Sequence, residues 1–285
     1  MTSYSECAKG QVGQSYDYGS AVVEGMQDSG IGGILSLLSA AIVVEGKDQS
    51  TGMQLQDPLV SIVIGAVRTL NNMAELNLKC VQATLGSAGF QGEVLHIFST
   101  LLNLCRGRLT VGPDPGPPQV LVLISEVILL VGFYAVESEP NQVSLSYGTR
   151  SIITGLCDLP LEYFLQPKLI CILFPTLIAA THGSERNSRL LAQVMSPRYL
   201  IEFMAAPENP SVDDRWRLKR RFPTRLYEKA LANYNDILDR IHGDGPVEDG
   251  NPIDEPSGLA VELTRASVET QFREILAGII HDPDR

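Results

Sequence analysis

A unit that returns along the chain limits its fold more than any other feature. Leu59 to Ala74 is a long apolar run, Leu78 to Leu85 a short one, Gly86 and Gly89 mark a turn, and Gly92 to Cys105 is again long and apolar. The order then recurs. Val120 to Val136 is followed by Gln142-Val143-Ser144-Leu145, which echoes Gln82-Ala83-Thr84-Leu85 at the same place after the long run. A weaker third copy puts a long helix at Leu169 to Ala180, a short one at Asn187 to Val194 and a third at Pro197 to Met204. Spacings of roughly 45 to 60 residues fall near or above the armadillo and HEAT range, and such a unit buries its apolar face only by stacking on its neighbours. The expected fold is all-α, an armadillo/HEAT-like right-handed α-solenoid of about three repeats plus C-terminal helices.

Within each unit the helix signals are local. Pro58 suits a first helical turn, and Leu59, Ile62, Ala66, Leu70 and Met73 follow at intervals of three and four. Asn77 is placed to cap the short helix, with Gly86 and Gly89 as its stops. Val94, Ile97, Leu101 and Leu104 form a stripe beside Leu95, Phe98, Leu102 and Cys105, wide enough to pack on two sides. Val120 to Val136 is apolar enough to suggest a membrane span, but it sits at the lower limit of length. Glu126 near its centre would cost about 2.5 to 3.5 kcal/mol in lipid. A buried helix, with no membrane insertion, is the expectation.

Four segments follow from composition. Residues 1–29 read as a flexible N-terminal segment, since Met1 to Ser20 lack the continuous apolar stretch of a secretory signal. Residues 30–242 form the helical domain. It ends in a basic block, Arg215, Arg217, Lys219, Arg220, Arg221 and Arg225, and a helix at 223–242 whose Leu226, Ala230, Tyr234, Ile237 and Ile241 share one face. Residues 243–257 read as a mobile acidic linker, and 258–285 as a last helix presenting Phe272, Ile275, Leu276 and Ile279. That helix either packs on the stack or serves as a detachable partner helix. Over all 285 residues the net charge is −11, so any nucleic-acid contact must be local. Cys7, Cys80, Cys105, Cys157 and Cys171 form no CxxC pair and read as reduced thiols of a cytosolic protein.

No catalytic motif is found, and no metal or cofactor is expected. His96, His182, His242 and His281 have no ligand spacing, and neither GxSxG nor GxxxxGK(S/T) occurs. The glycine string from Gly86 to Gly92 follows a helix rather than a strand, which makes it a helix-joining turn. His96 reads as a core or groove histidine. Asn71 and Asn72, polar on an apolar helix, either bond loop carbonyls and fix the repeat register or face a groove where their amides hold a peptide backbone. Glu126 is a satisfied buried carboxylate or a groove-facing one, rather than an acid-base catalyst. Together with Arg68, Phe133 and Tyr134 these residues outline a candidate protein-partner groove. The basic block around Trp216 and Phe222 is either a solvated cluster balancing the acidic linker or an RNA contact.

The run from Leu156 through Asp158-Leu159-Pro160-Leu161-Glu162-Tyr163-Phe164 to Ile170, continued by Leu173-Phe174-Pro175-Thr176-Leu177, resembles the C-terminal region of the family of S-phase cyclin A-associated proteins of the endoplasmic reticulum. Val67 to Asn72, Val131 to Val136, Pro140 to Val143 and Arg221-Phe222-Pro223 extend the likeness over about residues 60 to 230. The resemblance implies a non-enzymatic adaptor in ribosome-associated tubulin autoregulation. Such an adaptor links a tetratricopeptide-repeat factor on tubulin-synthesising ribosomes to the cytoplasmic deadenylase complex and so to tubulin mRNA decay. It implies rRNA as the partner of Arg215, Arg217, Lys219, Arg220, Arg221 and Arg225, and a cytoplasmic location. The family's zinc finger and its cyclin A and endoplasmic reticulum regions lie outside the likeness. Cyclin A binding and a place at the cytosolic face of the endoplasmic reticulum are therefore not carried over. A peptide-binding or cell-cycle scaffold with no RNA role is the alternative.

Overall fold

The structure, a computed structural model, describes residues 18–26, 30–47, 57–109, 118–148, 151–164, 167–205 and 224–243. These residues are mostly helical, and no strand occurs among them. In chain order the helices are α1 (Tyr18–Gly25), α2 (Gly32–Lys47), α3 (Asp57–Leu76), α4 (Leu78–Leu85), α5 (Gln91–Leu109), α6 (Pro118–Ala135), α7 (Glu139–Ser144), α8 (Ile152–Cys157), α9 (Leu161–Phe164), α10 (Pro167–Thr181), α11 (Glu185–Val194), α12 (Arg198–Ala205) and α13 (Thr224–Gly243). Part of the stretch expected to be a flexible start is thus the helix α1, whose Val23 is buried. Of the linker expected at 243–257 only Gly243 is described, as the last residue of α13; the rest of it, the last helix at 258–285 and all of the basic block except Arg225 lie outside the described residues.

The three long helices α3, α6 and α10 pack successively side by side, and α2, α5 and α8 form a second succession behind them. Helix α6 is the hub. From Leu123 to Val136 every residue is buried, which explains why its sequence is apolar all round instead of on one stripe. Helix α3 is half-covered: Val60, Val63, Val67, Leu70 and Ala74 face inward, while Ile62 and Leu76 stay exposed. By length and composition Pro58–Leu76 would cross a membrane, but half of it is buried in the protein. Asn77 caps α4 as its position suggests, its Oδ1 accepting from the Cys80 amide at 3.0 Å.

Between the long helices runs a ladder of side-chain amides, and it occupies the place of the sequence echo. Gln82, on α4, donates from Nε2 to the Phe133 and Val136 carbonyls at the end of α6, at 2.8 and 2.6 Å. Asn141, on α7, donates to the Tyr134 carbonyl at 2.9 Å and to the backbone of Gln82 at 3.3 Å. One unit on, Gln142 donates to the Ala179 carbonyl at 2.8 Å, and Asn187 donates to the carbonyls of Ala180 and Gln142 at 2.8 and 2.7 Å. Carbonyls in the last turn of a helix lack the full set of partners within the helix, and these buried amides donate to them; the Gln82 and Gln142 carbonyls accept in addition from the amides of Gly86 and Leu145. Gly86 serves the first rung. Its φ of −86° is open to any residue, but a Cβ there would overlap the Asn141 amide oxygen.

Helix α13 closes the far end. Leu226, Ala230 and Tyr234 are fully buried, and the Tyr234 hydroxyl meets Thr181 Oγ1 of α10 at 2.5 Å, as the spacing of its apolar face foretells.

Candidate protein-binding site

Three of the six groove candidates meet where α3 crosses α6. Arg68 and Asn71 lie three residues apart on α3, hence on one face, and Glu126 approaches from α6. Arg68 Nε donates to Glu126 Oε1 at 2.8 Å, while Asn71 Nδ2 donates to Glu126 Oε2 at 2.9 Å and to the Glu126 carbonyl at 3.0 Å. The carboxylate is buried at 8% side-chain exposure, yet the Arg68 side chain keeps 51%, so the cluster reaches the surface through the guanidinium. With one charged donor on one oxygen and a neutral donor on the other, Glu126 is held as an acceptor. It braces the two helices.

The remaining candidates separate. Asn72 is exposed on α3, next to the cluster. Asn71 does not bond a loop carbonyl, as the register reading supposed; it bonds across the helix pair, and its Oδ1 is buried without a hydrogen-bond partner. Phe133 and Tyr134 do not line a groove. They are 3% and 1% exposed, since α6 is surrounded on every side, and Tyr134 packs edge-on against Phe98 with its hydroxyl 2.9 Å from Ser144 Oγ. Burial raises the Tyr134 pKa, the Ser144 bond opposing it. His96 is exposed on α5 and so does not lie in the core.

Of the basic block, Arg225 alone is described, and it has an intramolecular partner. Its Nε and Nη2 donate to the two carboxylate oxygens of Glu137 at 3.0 and 3.1 Å. Glu137 follows α6 in a left-handed conformation, φ 52°, which turns its side chain toward the start of α13. As an rRNA contact Arg225 would first have to leave a bidentate pair. Arg215, Arg217, Lys219, Arg220 and Arg221 lie outside the described residues.

A cleft of about 760 Å³ opens between α11 and α13, a feature the sequence reading did not find. Gly183, Glu185, Ser188, Arg189, Ala192 and Gln193 form one wall, Asn233 and Ile237 the other. Arg189 Nη2 lies 2.6 Å from Glu185 Oε1, so the charged pair at the mouth is neutralised. His182 precedes the cleft; burial and nearby Lys229 lower its pKa, against the opposing pull of Glu137. Among the described residues no cluster of three metal-ligating side chains occurs. Burial beside Asp158 pushes the Cys157 thiol up to about 12, which leaves it protonated and unreactive at neutral pH.

No protein-family model matches the chain. Over 226 residues, 72% of this chain, it is 27% identical to the human "S phase cyclin A-associated protein in the endoplasmic reticulum". The match spans 15% of that relative's length.

Proposed function

From the kinship of this region with the S phase cyclin A-associated protein in the endoplasmic reticulum, we propose that the chain is a non-enzymatic protein-binding adaptor. In the finer form of this reading the two successions of helices are the layers of an armadillo-like right-handed α-solenoid. The adaptor then works in ribosome-associated tubulin autoregulation: it meets a tetratricopeptide-repeat factor on tubulin-synthesising ribosomes in the cytoplasm and couples it to mRNA deadenylation. The kinship is the observation that carries this reading. Supporting it are a carboxylate used as a brace, an unreactive thiol and the exposed Arg68 and Asn72 on one face of α3. The partner surface is assigned to that face, and the rRNA contact to Arg215, Arg217, Lys219, Arg220 and Arg221. Arg225 is left to Glu137.

The decisive experiment is co-sedimentation of the full chain with ribosomes carrying a tubulin nascent chain, with and without the tetratricopeptide factor, across a salt series. Factor-dependent pelleting that weakens with salt and is flattened by Arg217→Glu, Arg220→Glu and Arg221→Glu together is the expected result. Absence of pelleting under every condition removes the ribosome reading. A second reading, a cell-cycle scaffold without an RNA role, draws on the relative's name, which associates that protein with cyclin A. It predicts a cyclin A complex with little salt dependence and no ribosome pelleting.

A further inference from the structure

Among the described residues the amide ladder stops at Ser188. At the first rung Gln82 reaches from its short helix to carbonyls at the end of α6, and at the second Gln142 reaches the end of α10. Each rung is locked by the asparagine of the next unit, Asn141 and then Asn187, donating to that glutamine's backbone carbonyl. In the second unit Gln142 follows Asn141; in the third, Ser188 follows Asn187. A serine is too short to cross. Its hydroxyl donates at 2.9 Å to the Thr181 carbonyl in its own unit, and Asn233 Nδ2 approaches it only to 3.5 Å. Where a third glutamine would extend, α11 and α13 stand apart and the 760 Å³ cleft opens. That volume lies within the range of about 300 to 1,000 Å³ typical of ligand sites.

We propose that this cleft binds an extended peptide segment of a partner protein, gripping it by its backbone carbonyls. In the closed rungs the short helix receives backbone carbonyl oxygens, and the open rung is lined by side chains with N–H groups for the same chemistry: Gln193, Asn233 beyond its 3.5 Å bond to Ser188, and Arg189 beyond its bond to Glu185. Ala192 and Ile237 supply an apolar patch beside them, suited to one aliphatic side chain of the peptide. An extended backbone presents a carbonyl at each residue, which matches donors spread along two helices. A nucleic acid fits less well, because Glu185 already neutralises Arg189 at the mouth. The inference rests on the protein-binding reading above and deepens it, without needing the ribosome.

The test uses the full chain and a fluorescently labelled positional-scanning library of N-acetyl hexapeptide amides, read by anisotropy and by hydrogen exchange. Saturable binding by a subset of sequences is expected, with protection confined to α11 and α13. Ser188→Gln, which supplies the missing side chain, and Ala192→Trp, which fills the wall, should each weaken binding about ten-fold or more, and Asn233→Ala about five-fold. Ala192→Trp keeps the test valid if a glutamine at the buried Ser188 impairs folding. The proposal is overturned if no peptide binds at about 1 mM, or if binding survives both cleft-filling variants. Ribosome pelleting is a separate readout: its loss with peptide binding intact removes the tubulin reading and leaves the cleft, and peptide failure with pelleting intact does the reverse.

Discussion

The middle of the helical stack and its C-terminal end use one device to opposite effect. Between α3 and α10 the amides of Gln82, Asn141, Gln142 and Asn187 are buried and spent on backbone carbonyls of the neighbouring unit. Between α11 and α13 the same position holds Ser188, Gln193 and Asn233 line a cleft, and Asn233 meets Ser188 at 3.5 Å. A repeat that closes on its neighbour becomes core. At the C-terminal end the shorter Ser188 stands where the long amide stood, and polar side chains line a cleft.

Breaking a closed rung should have the largest effect. Gln82→Leu removes two buried bonds, to the Phe133 and Val136 carbonyls, and should cost about 3 kcal/mol, against about 1 kcal/mol for Ser188→Ala at the open end, both read by urea denaturation. Equal costs would mean that the two ends are not different joints. The polar brace comes next. Asn71→Leu removes the donor to Glu126 Oε2 and to its carbonyl, for an expected loss of about 2 kcal/mol. Arg68→Ala should lose under about 1 kcal/mol, since half of that side chain stands in water and the pair is screened.

A third measurement sharpens the contrast through pH. His182 has a lowered pKa, so the unfolded chain binds its proton more readily than the folded one. Its contribution is complete above the ordinary histidine value of about 6.5 and is lost as pH falls below it toward the folded pKa. The melting temperature of the native chain should drop over that window more than that of His182→Gln; identical pH profiles would show that His182 is not coupled to the fold. The smallest effect is expected from Arg225→Ala. Its side chain is exposed, and neither the midpoint of unfolding nor the salt slope of ribosome pelleting should change measurably, because Glu137 already engages it.

Most helices were legible because their signals are local. Leu78–Leu85 is bounded as its Asn77 cap and Gly86 stop suggest, and the apolar face of α13 at Leu226, Ala230 and Tyr234 is buried as its spacing requires. Helix α1 was missed because eight residues carry too little periodic signal to stand out from a polar terminus. Phe133 and Tyr134 were misplaced for the opposite reason: an all-apolar helix has no preferred face, and the packing of α3, α5 and α10 around α6 left it none to expose. The ladder announced itself as the echo of Gln82-Ala83-Thr84-Leu85 in Gln142-Val143-Ser144-Leu145, although the register role was given to Asn71 and Asn72 instead. The cleft left no such trace. It depends on what Ser188 lacks, and an absence becomes visible only beside the filled rungs.

By itself the amino-acid order determined that the described part of this chain is mostly helical and, to within a few residues, where long helices such as α3, α6 and α10 lie, because capping, proline placement and apolar spacing act over a few residues. Which buried polar groups meet was decided only in three dimensions. Glu126 finds Arg68 and Asn71 across 58 and 55 residues, and Arg225 finds Glu137 across 88. Such pairings depend on how whole helices stack, since a buried carboxylate or carbonyl is satisfied by whichever donor the packing brings within about 3 Å, not by its neighbour in the chain.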